Sequence, residues 1–243
     1  MSLPNNLPID SHSVTDRKPI LCYVTDRRSL QAAAASKDSL ELLLEKIELA
    51  AAAGIDWIQL REKDLSGKQI ASLTREALRR VSRQASHTRP PTRILVNDRL
   101  DVVIAEQAGG VHLGENSLPA DQAKHLLLAS PVAQSSFQDF LVGVSCHSPE
   151  AAKSAAFAGA DYIFFGPIFA TPSKAAFGAP QGLARLAEVC TSVTIPVLAI
   201  GGITLENAPA CLSAGASGIA AIRLFQDSAD PASVIRALRH RSL

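Results

Sequence analysis

The chain has 243 residues, of which 47% are hydrophobic and 19% are charged. This length fits one large domain, and the apolar fraction is sufficient for a sizeable buried core. The formal net charge is only +1, with acidic and basic residues interspersed. This balance predicts no broad electrostatic surface for nucleic acid or for an anionic membrane, so an anionic ligand must be bound by local groups.

The first part of the chain is polar and contains three prolines. We predict that residues 1–18 form a flexible, disordered tail and that residues 19–243 form a single catalytic domain. The tail lacks the apolar core of a signal peptide, and no apolar run elsewhere approaches the roughly 18 residues that span a bilayer. The cysteines show no C-x-x-C pairing, which is typical of reduced thiols. Together these features predict a cytoplasmic protein without a membrane partner, and they leave a homo-oligomer open.

An apolar run followed by a segment of helical periodicity recurs eight times after the tail. The predicted strands are nearly continuously apolar, which is typical of strands that are covered on both faces. They are Ile20–Thr25, Trp57–Arg61, Arg93–Asn97, Gly110–Leu113, Leu141–Cys146, Tyr162–Phe169, Val197–Gly202 and Gly218–Leu224. The predicted helices include Ser39–Ala53, Lys68–Val81, Ala120–Leu128, Pro149–Ala158, Gly182–Cys190 and Leu205–Ala214.

Eight strand–helix units can close into a barrel or spread into an open, doubly wound sheet. An open sheet normally carries a glycine-rich nucleotide loop after its first strand. Here that loop is Thr25-Asp26-Arg27-Arg28, which contains no glycine. We therefore predict an α/β fold of one (β/α)₈ TIM barrel, whose site lies at the carboxyl ends of the strands.

The second predicted strand turns abruptly polar at its carboxyl end. Strand alternation places Gln59, Arg61 and Lys63 on one side. Two cations and an amide at the barrel rim predict an anion clamp. The alternative is a surface ion pair of Arg61 or Lys63 with Glu62 or Asp64, which leaves the apolar start of the strand unexplained.

The third predicted strand ends at Asn97-Asp98. A carboxylate beside an amide suits Mg²⁺, which prefers few carboxylates together with phosphate and water oxygens. The same two residues could instead cap a helix over 100–106. The sequence supports the two interpretations equally.

The fifth predicted strand ends with Ser145, Cys146 and His147. Alternation puts Ser145 and His147 on one face and Cys146 on the other, which disfavours a Cys146–His147 nucleophilic dyad. His147 is a candidate proton shuttle, or alternatively a cap of the next helix. His112 lies within an apolar strand, where we expect a structural role.

The last three loops carry features typical of phosphate sites. Thr171, Ser173 and Lys174 follow the sixth strand and predict a phosphate-binding or lid segment. Gly201-Gly202 follows the seventh strand, and Ile222-Arg223 lies near the end of the eighth. Backbone N–H groups after these two strands recurrently bind phosphate in such barrels.

Taken in order, seven motifs between Ile20 and Asp227 resemble the thiamine-phosphate synthase family. The matching stretches are Gln59-Leu60-Arg61-Glu62-Lys63, Asn97-Asp98-Arg99, Gly110-Val111-His112-Leu113-Gly114, Gly143-Val144-Ser145-Cys146-His147, Phe165-Gly166-Pro167-Ile168-Phe169, Thr171-Pro172-Ser173-Lys174 and Ala199-Ile200-Gly201-Gly202-Ile203-Thr204.

The resemblance implies a transferase that joins hydroxymethylpyrimidine diphosphate to a thiazole phosphate, with Mg²⁺, and releases diphosphate. It implies that the pyrimidine diphosphate is held by Gln59, Arg61, Lys63, Asn97, Ser145 and Lys174. It implies that Asp98 binds Mg²⁺ and that the thiazole phosphate is held by Thr171, Ser173, Gly202 and the backbone at Ile222–Arg223. The catalytic candidates are accordingly Arg61, Lys63, Lys174, Ser145 and His147.

Two positions depart from the family pattern. Ser117 stands where a second metal-binding Asp is usual, so the predicted metal set is Asp98 with Ser117, and Glu115 is a candidate substitute. Arg223 stands where a small Ser is usual. The related thiazole tautomerase is an alternative on the same barrel, and a non-catalytic phosphate-ligand binder is a third. The diphosphate clamp favours the synthase.

Overall fold

The computed structural model describes residues 18–30, 38–85, 89–130, 140–171 and 179–240. Eight parallel strands form a closed barrel in chain order, and the first strand also pairs with the eighth. The strands are β1 (Ile20–Val24), β2 (Trp57–Leu60), β3 (Arg93–Asn97), β4 (Gly110–Leu113), β5 (Leu141–Cys146), β6 (Tyr162–Phe165), β7 (Val197–Ile200) and β8 (Gly218–Ala221). The predicted (β/α)₈ barrel is confirmed.

Helices alternate with the strands along the chain. They are α1 (Arg27–Leu30), α2 (Ser39–Ala53), α3 (Gly67–Arg83), α4 (Leu100–Glu106), α5 (Ala120–Ala129), α6 (Pro149–Phe157), α7 (Gly182–Ser192), α8 (Ala208–Ser213), α9 (Arg223–Gln226) and α10 (Pro231–His240). None of the helices in the described ranges is both long enough and apolar enough to cross a membrane. Residues 1–17 of the predicted tail lie outside those ranges, so the tail remains a prediction.

The barrel interior is filled by side chains that alternate along each strand. One set points inward and forms a compact cluster in which aromatic rings are prominent, with Trp57 4.7 Å from Tyr162 and Tyr162 5.4 Å from Phe164 between ring centroids. The opposite set packs against the helices in a second, larger core. Both faces of the sheet are therefore buried, which explains the continuous apolar runs of the sequence.

Five predicted strands extend too far at their carboxyl ends. Thr25 and Arg61 lie just beyond β1 and β2, and the sixth and seventh strands stop where glycine and proline begin. Proline has no backbone N–H to donate to a strand ladder, and Gly201 and Gly202 have positive φ values that a strand does not adopt. The Arg61 N–H donates to the Thr25 hydroxyl and not to the backbone of a neighbouring strand. Arg223 was also misplaced, because it begins α9 and does not belong to β8.

One helix starts later than predicted. The turn after Thr204 is closed by reciprocal bonds, in which the Thr204 N–H donates to the Asn207 side-chain oxygen at 2.9 Å and the Asn207 N–H donates to the Thr204 hydroxyl. Pro209 has no backbone N–H to donate to the Leu205 carbonyl, so residues 205–207 form a turn and α8 begins only at Ala208.

We expect Gly218→Ala to lower the free energy of unfolding by about 3 kcal/mol, because a Cβ there would lie 2.0 Å from the Ile20 carbonyl oxygen. Gly159→Ala is the matched comparison: Gly159 has a φ of +83° but no atom within 4 Å of the added methyl group. It should cost only the strain of a left-handed residue, about 1 kcal/mol. Urea denaturation of both variants measures the difference, and equal losses would contradict the steric explanation.

Candidate active site

A chain of hydrogen bonds links the carboxyl ends of β2, β3 and β4. The Gln59 amide donates to the Asn97 side-chain oxygen at 3.0 Å, and the Asn97 amide donates to Asp98 Oδ2 at 2.9 Å. Asp98 Oδ1 accepts from the Gly114 N–H at 3.0 Å and from the Ser117 hydroxyl at 2.6 Å. The structure therefore brings together four of the predicted site residues at one rim.

Asp98 has an uncommon backbone conformation. Its φ of +56° lies in the left-handed region, which Asp tolerates better than most residues. The cap position of α4 is occupied by Arg99, whose side chain makes no capping bond. The helix-cap alternative for Asn97-Asp98 is therefore wrong, and the Asp98 carboxylate instead faces the loop after β4.

The acidic residues beside the predicted clamp are bound to the loop after β1. Glu62 is buried, and its carboxylate accepts from the Thr25 hydroxyl at 2.6 Å and from the Arg27 N–H at 3.1 Å. Burial raises the pKa of Glu62, and the bonds from Thr25 and Arg27 oppose that rise. Asp64 forms an ion pair with the Arg27 guanidinium at 2.7 Å.

Both cations of the predicted clamp are consequently left unpaired by their acidic neighbours. Within the described ranges, neither Arg61 nor Lys63 takes part in an ion pair. The ion-pair alternative is thus wrong for these residues. The Arg61 backbone N–H donates to the Thr25 hydroxyl at 3.0 Å, which fixes the chain where β2 leaves the barrel.

His112 lies inside the barrel, 2% exposed, between two hydroxyl groups. Its Nε2 is 2.8 Å from the Ser145 Oγ, and its Nδ1 is 3.0 Å from the Tyr162 hydroxyl. Burial lowers the pKa of His112 to about 3; Asp98 opposes this effect and Arg61 adds to it. The ring is therefore neutral at physiological pH, and the charges of Asp98 and Arg61 both act on it.

The residues at the end of β5 separate as alternation predicts. Cys146 is fully buried, and burial raises the pKa of its thiol to about 12, which excludes a reactive thiolate. His147 Nδ1 contacts the Gly166 carbonyl oxygen, so this nitrogen carries a proton and donates. The capping alternative for His147 is wrong, because the Ser148 hydroxyl caps α6 by accepting from the Ala151 N–H at 3.1 Å.

The loops after β6 and β7 pack tightly together. The Ile168 N–H donates to the Ile200 carbonyl at 2.9 Å. Gly202 has a φ of +67°, and a Cβ there would lie 2.8 Å from the Ala170 carbonyl oxygen. Asn207, which the sequence did not single out, donates to the Gly202 carbonyl at 2.9 Å. This packing places Thr171, the next residue after Ala170, beside the glycine loop.

The remaining predicted site residues follow β6 and β8 in the chain. Ser173 and Lys174 lie outside the described residues. Ile222 follows β8, and Arg223 is exposed at the start of α9. The described residues contain no group of three or more His, Cys, Asp or Glu side chains that could hold a metal ion. The single carboxylate of Asp98 nonetheless fits Mg²⁺ that takes its other ligands from a diphosphate and water.

These features define a (β/α)₈ barrel with polar and charged residues at the carboxyl ends of its strands. The chain belongs to the thiamine monophosphate synthase family, whose model matches residues 30–225. It is 42% identical over 193 residues to the thiamine-phosphate synthase of Methanoculleus marisnigri, which covers 79% of this chain and 84% of the relative. The thiamine-phosphate synthase of Roseiflexus castenholzii is 36% identical over 236 residues, covering 97% of this chain and 91% of its own.

Among solved structures, the thiamine phosphate pyrophosphorylase from Pyrococcus furiosus superimposes with a TM-score of 0.72 at 29% identity, covering 91% of this chain and 94% of that one. The family resemblance inferred from the seven motifs is confirmed, and with it the prediction of an enzyme of thiamine biosynthesis.

Proposed function

We propose that this chain joins hydroxymethylpyrimidine diphosphate to a thiazole phosphate and releases diphosphate, so that thiamine phosphate is formed. The proposal rests on one observation: neither Arg61 nor Lys63 forms an ion pair with the acidic residues beside it, Glu62 and Asp64. Glu62 and Asp64 are bound elsewhere, which leaves both cations available for an anion beside Asp98.

The proposed reaction requires stabilisation of a leaving group. The bond between the pyrimidine methylene carbon and the diphosphate oxygen breaks, and the diphosphate leaves with the electron pair. The lone pair of the thiazole nitrogen then forms the new bond to that carbon. Charge develops on the diphosphate, where Arg61, Lys63 and Lys174 would stabilise it. Donors from Gln59, Asn97 and Ser145 would hold the same group in position.

The bond-forming step itself transfers no proton. His147 is therefore assigned to positioning or to a proton transfer outside that step, with its Nε2 available because Nδ1 contacts a carbonyl. Asp98 and Ser117 would hold Mg²⁺, which when bound supplies positive charge to the diphosphate oxygens. The thiazole phosphate would be bound by Thr171, Ser173, Gly202 and the backbone of Ile222–Arg223.

Two further assignments belong to this proposal. Residues 19–243 would form one catalytic domain, and the protein would act in the cytoplasm. Free thiols support that location, because Cys22, Cys146, Cys190 and Cys211 form no disulfide among the described residues.

The direct test is an assay of purified protein with both substrates, with and without Mg²⁺. The proposal expects diphosphate release in step with formation of thiamine phosphate, and dependence on Mg²⁺. Isomerisation of a thiazole substrate without diphosphate release would identify a tautomerase. Ligand binding without turnover of either kind would identify a non-catalytic binder.

Ser117→Asp tests the metal assignment. The Ser117 hydroxyl lies 2.6 Å from Asp98 Oδ1, so a second carboxylate there would repel the first unless a cation is shared. We expect the Mg²⁺ concentration for half-maximal activity to fall about tenfold, since one added charge at ion-pair distance is worth about 1–2 kcal/mol. Ser117→Asn, which is neutral and of similar size, should give no such gain. An unchanged or weaker Mg²⁺ dependence in Ser117→Asp would mean that another ligand completes the site.

A further inference from the structure

We propose that Tyr162 and His112 are positioning residues that orient the Ser145 hydroxyl as a hydrogen-bond donor toward the anionic substrate. The inference deepens the proposed function, because it specifies how one residue of the diphosphate site is prepared. It rests on three side chains in contact, which lie on the neighbouring strands β4, β5 and β6.

A neutral imidazole carries one N–H and one lone pair, so the ring donates to one neighbour and accepts from the other. Both neighbours of His112 are hydroxyls, at 3.0 Å for Tyr162 and 2.8 Å for Ser145. Either tautomer can satisfy the ring. The tautomer therefore depends on which other hydrogen-bond partners the two hydroxyls have.

The surroundings of the Tyr162 hydroxyl select the tautomer of His112. The residue is fully buried among Trp57, Phe164 and the other inward side chains, and burial raises its pKa, so the hydroxyl keeps its proton. Among the described residues, His112 is the only hydrogen-bond partner of this hydroxyl. If His112 donated to Tyr162, the phenolic proton would be buried without an acceptor, which is a substantial cost. Tyr162 therefore donates to Nδ1, and the ring proton is on Nε2.

This tautomer determines the direction of the Ser145 hydroxyl proton. The Nε2–H group donates to Ser145 Oγ, so the serine oxygen already accepts one bond from the protein. Its own proton is then free to point toward the barrel rim, where an anionic oxygen is an acceptor. In the other tautomer the serine would donate back to the ring and present only lone pairs, which repel an anion.

The Tyr162 ring occupies a space that the neighbouring strand leaves open. Gly143 pairs with Tyr162 across β5 and β6, and a Cβ at Gly143 would lie 1.9 Å from the Tyr162 ring carbon that bears the hydroxyl. Only glycine at position 143 allows the hydroxyl to reach His112. Glycine, tyrosine, histidine and serine thus form one arrangement that is built across three strands.

The tautomer is measured directly by ¹⁵N NMR of the histidine side chains, with His112 assigned through a His112→Gln variant. The proposal expects the Nε2–H form in the substrate-free protein. Observation of the Nδ1–H form would overturn it. This readout does not require turnover, so it decides the inference even if the proposed synthase activity is absent.

Kinetics provide the second test. Tyr162→Phe removes only the hydroxyl that selects the tautomer, and we expect kcat/KM for the pyrimidine diphosphate to fall about ten- to hundredfold, as for loss of one bond to a charged group. In a Ser145→Ala background the same substitution should have less than about a twofold further effect, because the residue it orients is gone. A fully additive loss would overturn the positioning role.

Tyr23→Phe is the matched control. Tyr23 is the only other tyrosine, is equally buried, and its hydroxyl donates one bond, to Gln226 at 2.8 Å. Both substitutions should lower Tm by a similar amount, but Tyr23→Phe should leave kcat/KM unchanged. Equal kinetic losses in the two variants would show that a buried hydroxyl matters only for stability, and the proposal would be wrong.

Discussion

Arg61→Ala is expected to lower kcat/KM for the pyrimidine diphosphate at least about a hundredfold while the barrel remains folded. Each bond to a charged group contributes about 1.5–3 kcal/mol, and a guanidinium can make two to one diphosphate. A factor of ten in rate corresponds to about 1.4 kcal/mol. The side chain forms no ion pair with the acids beside it, so its removal should leave no unpaired carboxylate. Steady-state kinetics and thermal denaturation measure the two effects.

Arg75→Ala is the control for the loss of a positive charge. Arg75 lies on α3, with its side chain 70% exposed, and pairs with Glu106 at 2.6 Å. We expect wild-type kinetics. Because the side chain of Glu106 is only 8% exposed, loss of its partner should lower the free energy of unfolding by about 1–3 kcal/mol. Lys174→Ala should resemble Arg61→Ala, because Lys174 is assigned to the same anion. Wild-type rates in Arg61→Ala would refute the clamp and, with it, the reason for placing the diphosphate at this rim.

Asp98→Asn is expected to have the second largest effect. Asparagine tolerates the left-handed φ of +56° as well as aspartate does, so the backbone should be unchanged. The only carboxylate assigned to the metal would be gone, and we expect the Mg²⁺ concentration for half-maximal activity to rise more than about tenfold. At limiting Mg²⁺ the rate should fall about a hundredfold, which corresponds to about 3 kcal/mol of charge stabilisation.

Binding of Mn²⁺ as a Mg²⁺ substitute, measured by calorimetry with inorganic diphosphate present, separates metal affinity from turnover. Asp101→Asn is the matched control, because Asp101 is an exposed carboxylate three residues away that pairs with Arg99 at 2.5 Å. It should bind Mn²⁺ as the wild type does. If Asp98→Asn also binds Mn²⁺ normally, the metal must be held by groups other than Asp98.

The sequence predicted the barrel well because its strands are short, apolar and covered on both sides. Three of them, Arg93–Asn97, Gly110–Leu113 and Leu141–Cys146, have the predicted bounds. The other five were predicted to continue further toward the rim than they do. The apolar or polar character of a residue does not show where the last hydrogen bond between neighbouring strands lies. Ile222 and Leu224 illustrate this, since both are apolar, yet the strand ends at Ala221.

The site was predicted where local alternation suffices and missed where distant residues meet. Gln59 was predicted at the rim from alternation along its strand, and its amide donates there to the Asn97 side chain. The bond between Thr25 and Glu62 joins residues 37 positions apart, and the bond between His112 and Tyr162 joins residues 50 apart. The sequence around each of these residues contains no pattern that indicates its distant partner. A polar residue at the end of β1 was the only available signal for Thr25.

The Thr25 hydroxyl uses its proton and a lone pair at the same time. It donates to the buried Glu62 and accepts from the backbone N–H of Arg61. A valine at position 25 would have the same shape as threonine. The Glu62 carboxylate would then lose a hydrogen-bond donor, and the Arg61 backbone N–H would lose its acceptor. The backbone of Arg61 is thus held by a residue just beyond β1 to which no substrate contact is assigned. A substitution at Thr25 is therefore expected to disturb the backbone at Arg61 without removing any group that is assigned to the substrate.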